Sequence, residues 1–483
     1  MLRRLAAVTA AAALAGCGGR GNDPSTTTGR ETDTSTVTTT PGSTSPTTPE
    51  EVASRWGFER TVDLVEAGAD PTGEEPIDEA FDAAVAPDTL VYLPSGTYRV
   101  ADGITVGGLD RIGLLGSDAT VVPREGNEDN LFSFGWPEPV REALFKGITF
   151  DFSAPDTGGR PLLAQASDSL LVEGLVVKGE ADVNQDLVRV DVTDSDGSGV
   201  VRGLRLLDGA IPDYRITGCE VGDDNRGDVS FVDCRIDGFP DNGLYANPPE
   251  GSVSVLGGRY RNNGVAGVRV EVADDAVVRG VHVRCDDAEG AGENMRGIRL
   301  RAGNSVLVED CLVELLEVTS SDGAVTFASE LGAATVRNCH LRVDADGVNA
   351  VRIKRAADRQ VREGPFRCES LTIVGSAETG AAIQAADRSG CSFRDLCVFQ
   401  PGEDRDGFDT DNVHGEVADS RLAVTGRPFR LENSTLDRSN VTVSPDADEA
   451  AAGDEGDGDA ARFGPCADSD RGSDVDPDGA DDA

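Results

Sequence analysis

The chain has 483 residues with 87 acidic and 44 basic side chains, which gives a formal net charge of −43. A field this negative repels a phosphate backbone, so we expect no nucleic acid partner. Aromatic residues make up only 5% of the chain, while glycine occurs 58 times. This composition argues against a core of large rings and favours many short strands joined by tight turns.

The acidic residues are spread along the whole chain and show no repeating ligand spacing. Concentrated salt would screen their mutual repulsion, because the Debye length falls to about 3 Å at 1 M. The charge therefore favours a protein adapted to high salt, such as one from a halophile, over a cation-binding protein. We predict no cofactor, with Ca²⁺ as the one candidate left open.

The first residues have the pattern of an export signal. Arg3 and Arg4 precede an apolar stretch, Leu5 to Leu14, that is too short to span a bilayer. It ends in Leu14-Ala15-Gly16-Cys17, which resembles a lipobox, the motif in which the cysteine is lipidated. We expect residues 1–17 to be a lipoprotein signal peptide, exported by the Sec or Tat route, that anchors the protein to the outer face of the cell membrane. The alternative is an ordinary secretory signal with an incidental cysteine.

The composition divides the rest of the chain into three parts. Residues 18–55 are rich in Ser and Thr and contain few groups to bury, so we expect a disordered stalk. Residues 445–483 are rich in Asp, Gly and Ala, which predicts a disordered acidic tail. The folded domain is expected between residues 56 and 444.

A short unit recurs through this domain, with apolar residues on both sides of a small residue. One copy is Val200-Val201-Arg202-Gly203-Leu204 and another is Phe231-Val232-Asp233-Cys234-Arg235-Ile236. The copies between Gly203 and Ser434 recur with a mean period of about 23 residues. Two or three short strands in each period, with no helical stretch between them, predict the turns of a parallel β-solenoid.

The N-terminal block carries the most specific resemblance. It consists of Gly68-Ala69-Asp70-Pro71-Thr72-Gly73, an amphipathic segment over residues 76–85, and Val91-Tyr92-Leu93-Pro94-Ser95-Gly96-Thr97-Tyr98. With the repeat, it resembles the pectin lyase-like right-handed parallel β-helix superfamily over roughly residues 58–444. With the acidic composition and the export signal, the chain resembles an exported haloarchaeal-type protein. The superfamily resemblance implies an all-β right-handed parallel β-helix with an N-terminal capping helix. Pro76 suits the first turn of that helix, which would plug the open end of the solenoid.

Nine cysteines remain besides Cys17. Four of them fall at the small position of the repeat and are expected as buried free thiols, although disulfides between neighbouring coils are geometrically possible: Cys219, Cys234, Cys311 and Cys339. The next favoured disulfide pair is Cys391 with Cys397.

The three histidines give no metal signature, because they are far apart and lack partners at ligand spacing. His282 and His340 lie beside the small position of the repeat. We therefore expect both to point outward from the solenoid as surface residues.

A second pattern follows most copies of the repeat, namely a glycine, an apolar residue and then a residue expected to face outward. The outward positions, coil by coil, are Tyr245, Arg269, Arg299, Val325, Asn349, Ala382 and Asp409. Positions two residues further on include Glu271, Arg301 and Asp411. Stacked coils would align these residues in columns. This depends on the inferred register, since a one-residue slip would turn every one of these side chains inward.

The columns predict a partly aromatic, basic strip on an acidic protein. Its expected polysaccharide-binding residues are Tyr245, Arg269, Arg299, Arg301 and Asn349. Arginine matches carboxylates and sulfates bidentately, and tyrosine can stack on a sugar ring. The alternative is that these arginines only neutralise the surrounding acid.

The family's catalytic motifs are present only in part. Arg352-Ile353-Lys354 resembles the triplet of polygalacturonases, but the paired aspartates that should precede it are missing. Gly407-Phe408-Asp409 resembles the start of an alginate epimerase motif, with Thr410 and Asp411 in place of its Pro and His. We therefore retain Asp409, Asp411 and Glu271 as catalytic candidates and leave open whether the protein is an enzyme.

The sequence supports two functions. The first is an extracellular, surface-anchored β-helix that binds an acidic polysaccharide, and possible processing would use lyase, hydrolase or uronate epimerase chemistry. The alternative is a non-catalytic structural or adhesion protein of the cell surface. We expect a monomer with sequons at Asn433 and Asn440 as glycosylation sites.

Overall fold

The computed structural model describes residues 48–358, 361, 364–444 and 466. The first half of this region contains two helices and the strands of the first coils. These elements are α1 (Pro49–Trp56), β1 (Arg60–Asp63), β2 (Thr72–Pro76), α2 (Asp78–Ala84), β3 (Thr89–Leu93), β4 (Gly96–Val100), β5 (Ile104–Val106), β6 (Arg111–Pro123), β7 (Asn130–Phe134), β8 (Val140–Asp151), β9 (Arg160–Glu173), β10 (Val176–Lys178), β11 (Val188–Val192), β12 (Ser198–Arg202), β13 (Arg205–Leu206), β14 (Cys219–Val221), β15 (Asp228–Val232), β16 (Arg235–Asp237), β17 (Asn242–Ala246) and β18 (Val253–Leu256).

The second half continues with strands joined by turns. They are β19 (Arg259–Arg261), β20 (Ala266–Glu271), β21 (Asp275–Arg279), β22 (His282–Cys285), β23 (Arg296–Gly303), β24 (Ser305–Glu309), β25 (Leu312–Leu315), β26 (Val325–Leu331), β27 (Ala334–Arg337), β28 (His340–Val343), β29 (Val351–Ile353), β30 (Phe366–Glu369), β31 (Thr372–Val374), β32 (Ala381–Arg394), β33 (Cys397–Gln400), β34 (Asp406–Val424), β35 (Phe429–Glu432) and β36 (Thr435–Ser444).

Each strand pairs in parallel with its equivalent one coil away, which stacks about 13 turns into a solenoid. Three sheets run along it. In the middle of the domain sheet A contains β12, β15, β18, β21, β24, β27 and β30. Sheet B contains β13, β16, β19, β22, β25, β28 and β31, and sheet C contains β11, β14, β17, β20, β23, β26 and β29. The predicted right-handed parallel β-helix with an N-terminal capping helix is confirmed.

Alternation along each strand builds the core. In β23, Ile298 and Leu300 are buried, while Arg299 between them and Arg301 after them face outward. Stacking such strands gives one continuous apolar core along the solenoid. Sequence alternation therefore decides which side chains the outer face of each sheet presents.

A left-handed residue marks the corner between sheets A and B, which explains the small residue of the repeat. Gly203, Asp233, Gly257, Asp310 and Asn338 have φ between 51° and 66° there. Gly, Asn and Asp tolerate this conformation, whereas β-branched residues do not. The next residue lies inside the corner, and this inner row includes Cys234, Cys311 and Cys339.

The predicted period is too short. The inner corner row runs from Leu204 to Ser420, and its backbone hydrogen bonds divide these 216 residues into eight coil steps of 27 residues on average. The repeat count included Cys219 and Ser434, which lie outside this row, because Cys219 belongs to β14 of sheet C. Strands of two sheets share the same alternation, so the sequence pattern alone did not separate them.

The N-terminal end is closed by the expected helix. Ile77, Phe81 and Ala84 are buried, and the Phe81 ring lies 5.7 Å from the Phe132 ring. The expectation for Pro76 is wrong, because it ends β2 and pairs with Arg99, while α2 begins at Asp78.

The predicted stalk is also too long at its C-terminal end. Residues 49–56 form α1, which Thr48 caps in a capping box. Val52 and Ala53 pack against Leu90 and Leu115 of the first coils. The rest of the predicted stalk, the signal peptide with Cys17, and the predicted tail apart from residue 466 lie outside the described residues. Neither helix of the described region is long and apolar enough to cross a membrane.

The cysteines confirm one prediction and overturn another. Cys219, Cys234, Cys311 and Cys339 are buried free thiols. The predicted Cys391–Cys397 disulfide is wrong, because Cys397 bonds to Cys466 and Cys391 is a buried free thiol. Cys391 lies in sheet A, whereas Cys397 begins β33 of sheet B, and neighbours in sequence are therefore on different faces.

The surface prediction for His282 is wrong. Its side chain is buried, and its Nε2 lies 3.0 Å from Oε2 of the buried Glu314. His340 is only partly exposed. Glu314 of the next coil lies against the His282 ring, so a residue that faces outward from sheet B can still be covered.

Candidate functional site

One column of side chains faces outward from sheet C at a single register. Each member pairs with its neighbour in the next coil, so the row runs along the solenoid axis with a spacing of roughly 4.8 Å. From N to C, this sheet C column contains Arg189, Glu220, Tyr245, Arg269, Arg299, Thr326, Arg352, Gln384, Asp409 and Arg430.

The expectation that the second residue after each glycine faces outward, here called the glycine rule, placed part of this column correctly. Tyr245, Arg269, Arg299 and Asp409 take the predicted outward positions. Val325 and Ala382 were predicted to face outward, but both are fully buried, and Thr326 and Gln384 occupy the column instead.

Asn349 was also predicted in the column, and this prediction is wrong. Asn349 is buried before β29, where its amide donates to Gln384 Oε1 at 3.1 Å, and Arg352 takes the column position. The turn after Gly347 is longer than the turn after Gly297, so a fixed count from the glycine misses the register.

Three predicted residues form a closed cluster. The Tyr245 hydroxyl donates to Glu271 Oε2 at 3.0 Å, and Arg269 donates to the same oxygen at 2.7 Å. The Arg269 guanidinium also lies 4.0 Å from the centre of the Tyr245 ring. Burial raises the pKa of Tyr245 to about 12. Arg269 therefore covers one face of the ring that was expected to stack on sugar.

Arg301 is compensated as well, because it forms an ion pair with Glu330. Arg269 and Arg301 thus match the alternative in which arginines neutralise nearby acid. Each has a carboxylate partner supplied by the chain itself.

Arg299 behaves differently. It is half-buried, makes no hydrogen bond or ion pair with any described residue, and its Nε is shielded from solvent. Burial and the neighbouring Arg296, Arg269 and Arg301 lower the pKa of Arg299 to about 10. A bound anion would stabilise a cation that is desolvated and surrounded by like charges.

Arg352, two coils further on, has the same property. It is half-buried and has no hydrogen bond or ion pair within the part of the chain that the structure describes. Burial lowers its pKa. Thr326 lies between the two arginines in the column, is 0% exposed, and its hydroxyl has no partner among the described residues.

The nearest acid is already occupied. Asp322 accepts 2.6 and 2.8 Å hydrogen bonds from Arg296 and a 2.5 Å bond from Lys354 Nζ. Burial opposes its ionisation, but Lys354 and Arg296 outweigh that effect and lower the pKa of Asp322 to about 2. Asp322 thus forms its hydrogen bonds with Arg296 and Lys354 and acts on Arg299 and Arg352 only through its charge, without a hydrogen bond or ion pair to either.

Glu271 lies far from the other two catalytic candidates, Asp409 and Asp411, which are two residues apart on β34. Asp409 lies five coil steps from Arg269 in the column, which is roughly 24 Å, and Glu271 belongs to the Arg269 strand. A carboxylate pair acting on a glycosidic bond needs a separation of about 5–9.5 Å. Asp409 accepts from Gln384 at 2.9 Å, and Asp411 accepts from Asn433 at 3.4 Å.

An acidic cluster that the sequence did not suggest lies at the N-terminal end of the column. Burial and a hydrogen bond with Asp186 raise the pKa of Glu220 to about 8. Asp191 is fully buried, accepts from Gln165 at 3.1 Å and from Arg189 at 3.3 Å, and burial raises its pKa. No group of three described His, Cys, Asp or Glu residues is arranged to hold a metal ion.

Two signals would have found the missed residues. Gly218-Cys219-Glu220 has the same form as Gly243-Leu244-Tyr245, so Glu220 follows the glycine rule. Arg352 lies between Val351 and Ile353, and this alternation alone places it outward.

The comparisons with known proteins give no family. No family model and no curated protein matches the chain. Among solved structures, PfbA, a surface adhesin of Streptococcus pneumoniae, has a TM-score of 0.43 and 14% identity over 80% of this chain and 93% of that one.

Two further solved structures are enzymes by name. The A-module of the Azotobacter vinelandii mannuronan C-5 epimerase AlgE4 has a TM-score of 0.37 and 15% identity over 79% of this chain and 97% of that one. The catalytic unit of a Streptomyces thermodiastaticus GH87 alpha-1,3-glucanase has a TM-score of 0.36 and 14% identity over 80% and 70%. At such low scores and identities, nothing about the site is carried over from these proteins.

Proposed function

We propose that the outer face of sheet C binds an acidic polysaccharide along the solenoid axis. The observation that supports this most directly is the pair Arg299 and Arg352, two half-buried guanidinium groups without a carboxylate partner in the described chain. The chain carries a net charge of −43, so a shortage of carboxylates does not explain why these two arginines are unpaired.

The alternative role for arginine is neutralisation, and it fits two neighbouring arginines of sheet C. Arg269 has Glu271, and Arg301 has Glu330. Neutralisation does not account for Arg299 and Arg352, since a buried cation without an anion destabilises the fold. An anionic ligand would compensate both, and guanidinium groups recognise carboxylates through paired hydrogen bonds.

A linear polymer suits the shape of the site. The column runs along the solenoid axis in continuous register, repeats at roughly 4.8 Å, and presents Arg269, Arg299 and Arg352 on one face. An acidic glycan lying along it would contact several coils at once, so weak single contacts would add up along the chain.

Binding of a polymannuronate should test this role directly. We expect the double variant R299A/R352A to lose at least tenfold in affinity by isothermal titration calorimetry, because both unpaired cations are removed. The matched control is R202A/R367A, which removes the same charge from exposed arginines of sheet A. Equal loss in both double variants, or no binding by the unmodified protein, would refute the proposed role.

We propose in addition that the protein acts outside the cell, held by a lipid on Cys17. The support is the lipobox-like sequence at the end of an export signal. Expression with a radiolabelled lipid precursor should label the native chain and leave C17S unlabelled and released into the medium. Labelling of C17S would contradict the anchor.

A further inference from the structure

We propose that Arg299, Thr326 and Arg352 form a single carboxylate subsite, in which one ligand carboxylate bridges the two arginines and accepts from the Thr326 hydroxyl. This inference rests on the proposed function and specifies the group of the polysaccharide that is recognised. It places the anion at the middle coil of three, over Thr326.

The molecule contains a filled version of this arrangement on sheet A. Arg279, Glu309 and Arg337 occupy equivalent outward positions on three successive strands, β21, β24 and β27. Glu309 Oε2 accepts from Arg279 Nε at 2.8 Å, and its Oε1 accepts from Arg337 Nε at 2.7 Å. One carboxylate in the middle coil therefore satisfies an arginine on each side.

Sheet C repeats the two arginines and lacks the carboxylate. Arg299, Thr326 and Arg352 lie on β23, β26 and β29, again in direct register over three coils. The outer positions are separated by two coil steps, roughly 10 Å in both triads, because the coils stack at the same spacing. Thr326 stands where Glu309 stands, and its shorter side chain leaves both arginines without an anion.

The polar groups specify what would fill the gap. Two guanidinium groups offer hydrogen bonds from opposite sides, which suits the two oxygens of a planar carboxylate. The orphan hydroxyl of Thr326 supplies a third donor between them. The carboxylate of a uronate sugar fits this set of donors, whereas its methyl ester carries no charge and should be rejected.

The substitution T326E tests the subsite by building the carboxylate into the protein. We expect T326E to melt at a higher temperature than T326Q, which has the same size without the charge. We also expect T326E to bind polymannuronate at least tenfold more weakly than T326Q. The control T105E adds the same charge at an exposed position of the first coil of sheet C and should leave affinity unchanged.

The outcomes separate this inference from the proposed function. Equal melting temperatures and equal affinities for T326E and T326Q would overturn the subsite, while polymer binding that R299A/R352A abolishes would still support the proposed function. If the unmodified protein binds no acidic polymer, the proposed function is wrong. The difference in melting temperature between T326E and T326Q then still tests whether the two arginines accept a carboxylate. Tighter binding of methyl-esterified polymer or of dextran sulfate than of free uronate polymer would overturn the assignment to a carboxylate.

Discussion

The N-terminal end and the middle of the sheet C column differ in how their charges are paired. At the N-terminal end, Arg189 pairs with Asp191, and Glu220 shares a hydrogen bond with Asp186. In the middle of the column, Arg299 and Arg352 have no such partner within the described residues, whereas at its C-terminal end Arg430 lies 3.7 Å from Asp409. The column thus contains a self-satisfied region around Arg189 and Glu220, where the chain pairs its own charges, and an open region around Arg299 and Arg352, where it does not.

This difference teaches where binding energy is available. A charge that already has a partner gains little from a ligand, because the ligand must replace contacts that exist. A desolvated charge without a partner gains the whole interaction on binding. The open region is therefore the part of the column where substitutions should change binding more than stability.

The largest expected effect is a loss of stability when a charge pair of the self-satisfied region is broken. R189A leaves the carboxylate of the fully buried Asp191 without its charge partner. We expect a loss of about 2–3 kcal/mol in the free energy of unfolding, which urea denaturation measures. R352A should leave the free energy of unfolding unchanged or raise it, because it removes a half-buried cation that has no hydrogen bond or ion pair. Equal losses in the two variants would erase the distinction between the two regions.

Salt should act on the two processes in opposite directions. With a net charge of −43, the fold gains stability when salt screens repulsion between acidic groups, so the melting temperature should rise by many degrees from low salt to 1 M. Binding of a uronate polymer to Arg299 and Arg352 should weaken over the same range. A melting temperature independent of salt would contradict the predicted halophilic adaptation.

A pH effect of intermediate size sharpens the description of the self-satisfied region. The pKa of Glu220 is raised from 4.5 to about 8 by burial and Asp186, with Arg189 and Arg160 acting in the opposite direction. The folded state thus holds this proton more tightly than the unfolded chain. The resulting stability is fully present below pH 4.5 and is lost as the pH rises to about 8.

The variant E220Q isolates this contribution, because glutamine does not titrate. Between pH 4.5 and 8 the melting temperature of the native protein should fall relative to that of E220Q. Parallel curves for the two proteins would mean that folding does not raise the pKa of Glu220. D186N should bring the native curve closer to that of E220Q, since Asp186 holds the proton on Glu220.

The smallest expected effect concerns Tyr245. Since Arg269 covers one face of its ring, Y245F removes only the hydroxyl bond to Glu271. We expect less than a threefold change in polymer affinity, measured by the same titration. A loss as large as that of R299A/R352A would move the centre of the site toward the N-terminal end.

The sequence predicted the fold well because the fold depends on local patterns. Alternation such as Ile298-Arg299-Leu300 assigns inside and outside, and glycine or aspartate at each corner permits the left-handed turn. Periodicity failed where two sheets share one pattern, as at Cys219. The predicted disulfide pair was wrong because Cys397 bonds to Cys466, which is distant in sequence.

The site was predicted in part. Counting two residues from glycine found Tyr245, Arg269 and Arg299 but missed Arg352, because turn lengths differ between coils. Which arginines lack a partner depends on contacts between residues more than 20 positions apart, such as Asp322 with Lys354. No local pattern encodes that information, so the distinction between neutralising and binding arginines required the structure.

A crystal structure of the protein with a mannuronate oligosaccharide would test the central claim most directly. We expect the sugar chain along sheet C, with one carboxylate within hydrogen-bond distance of both Arg299 and Arg352 and of the Thr326 hydroxyl. An oligosaccharide bound on another face, or one whose carboxylates all point to solvent above Thr326, would contradict the claim.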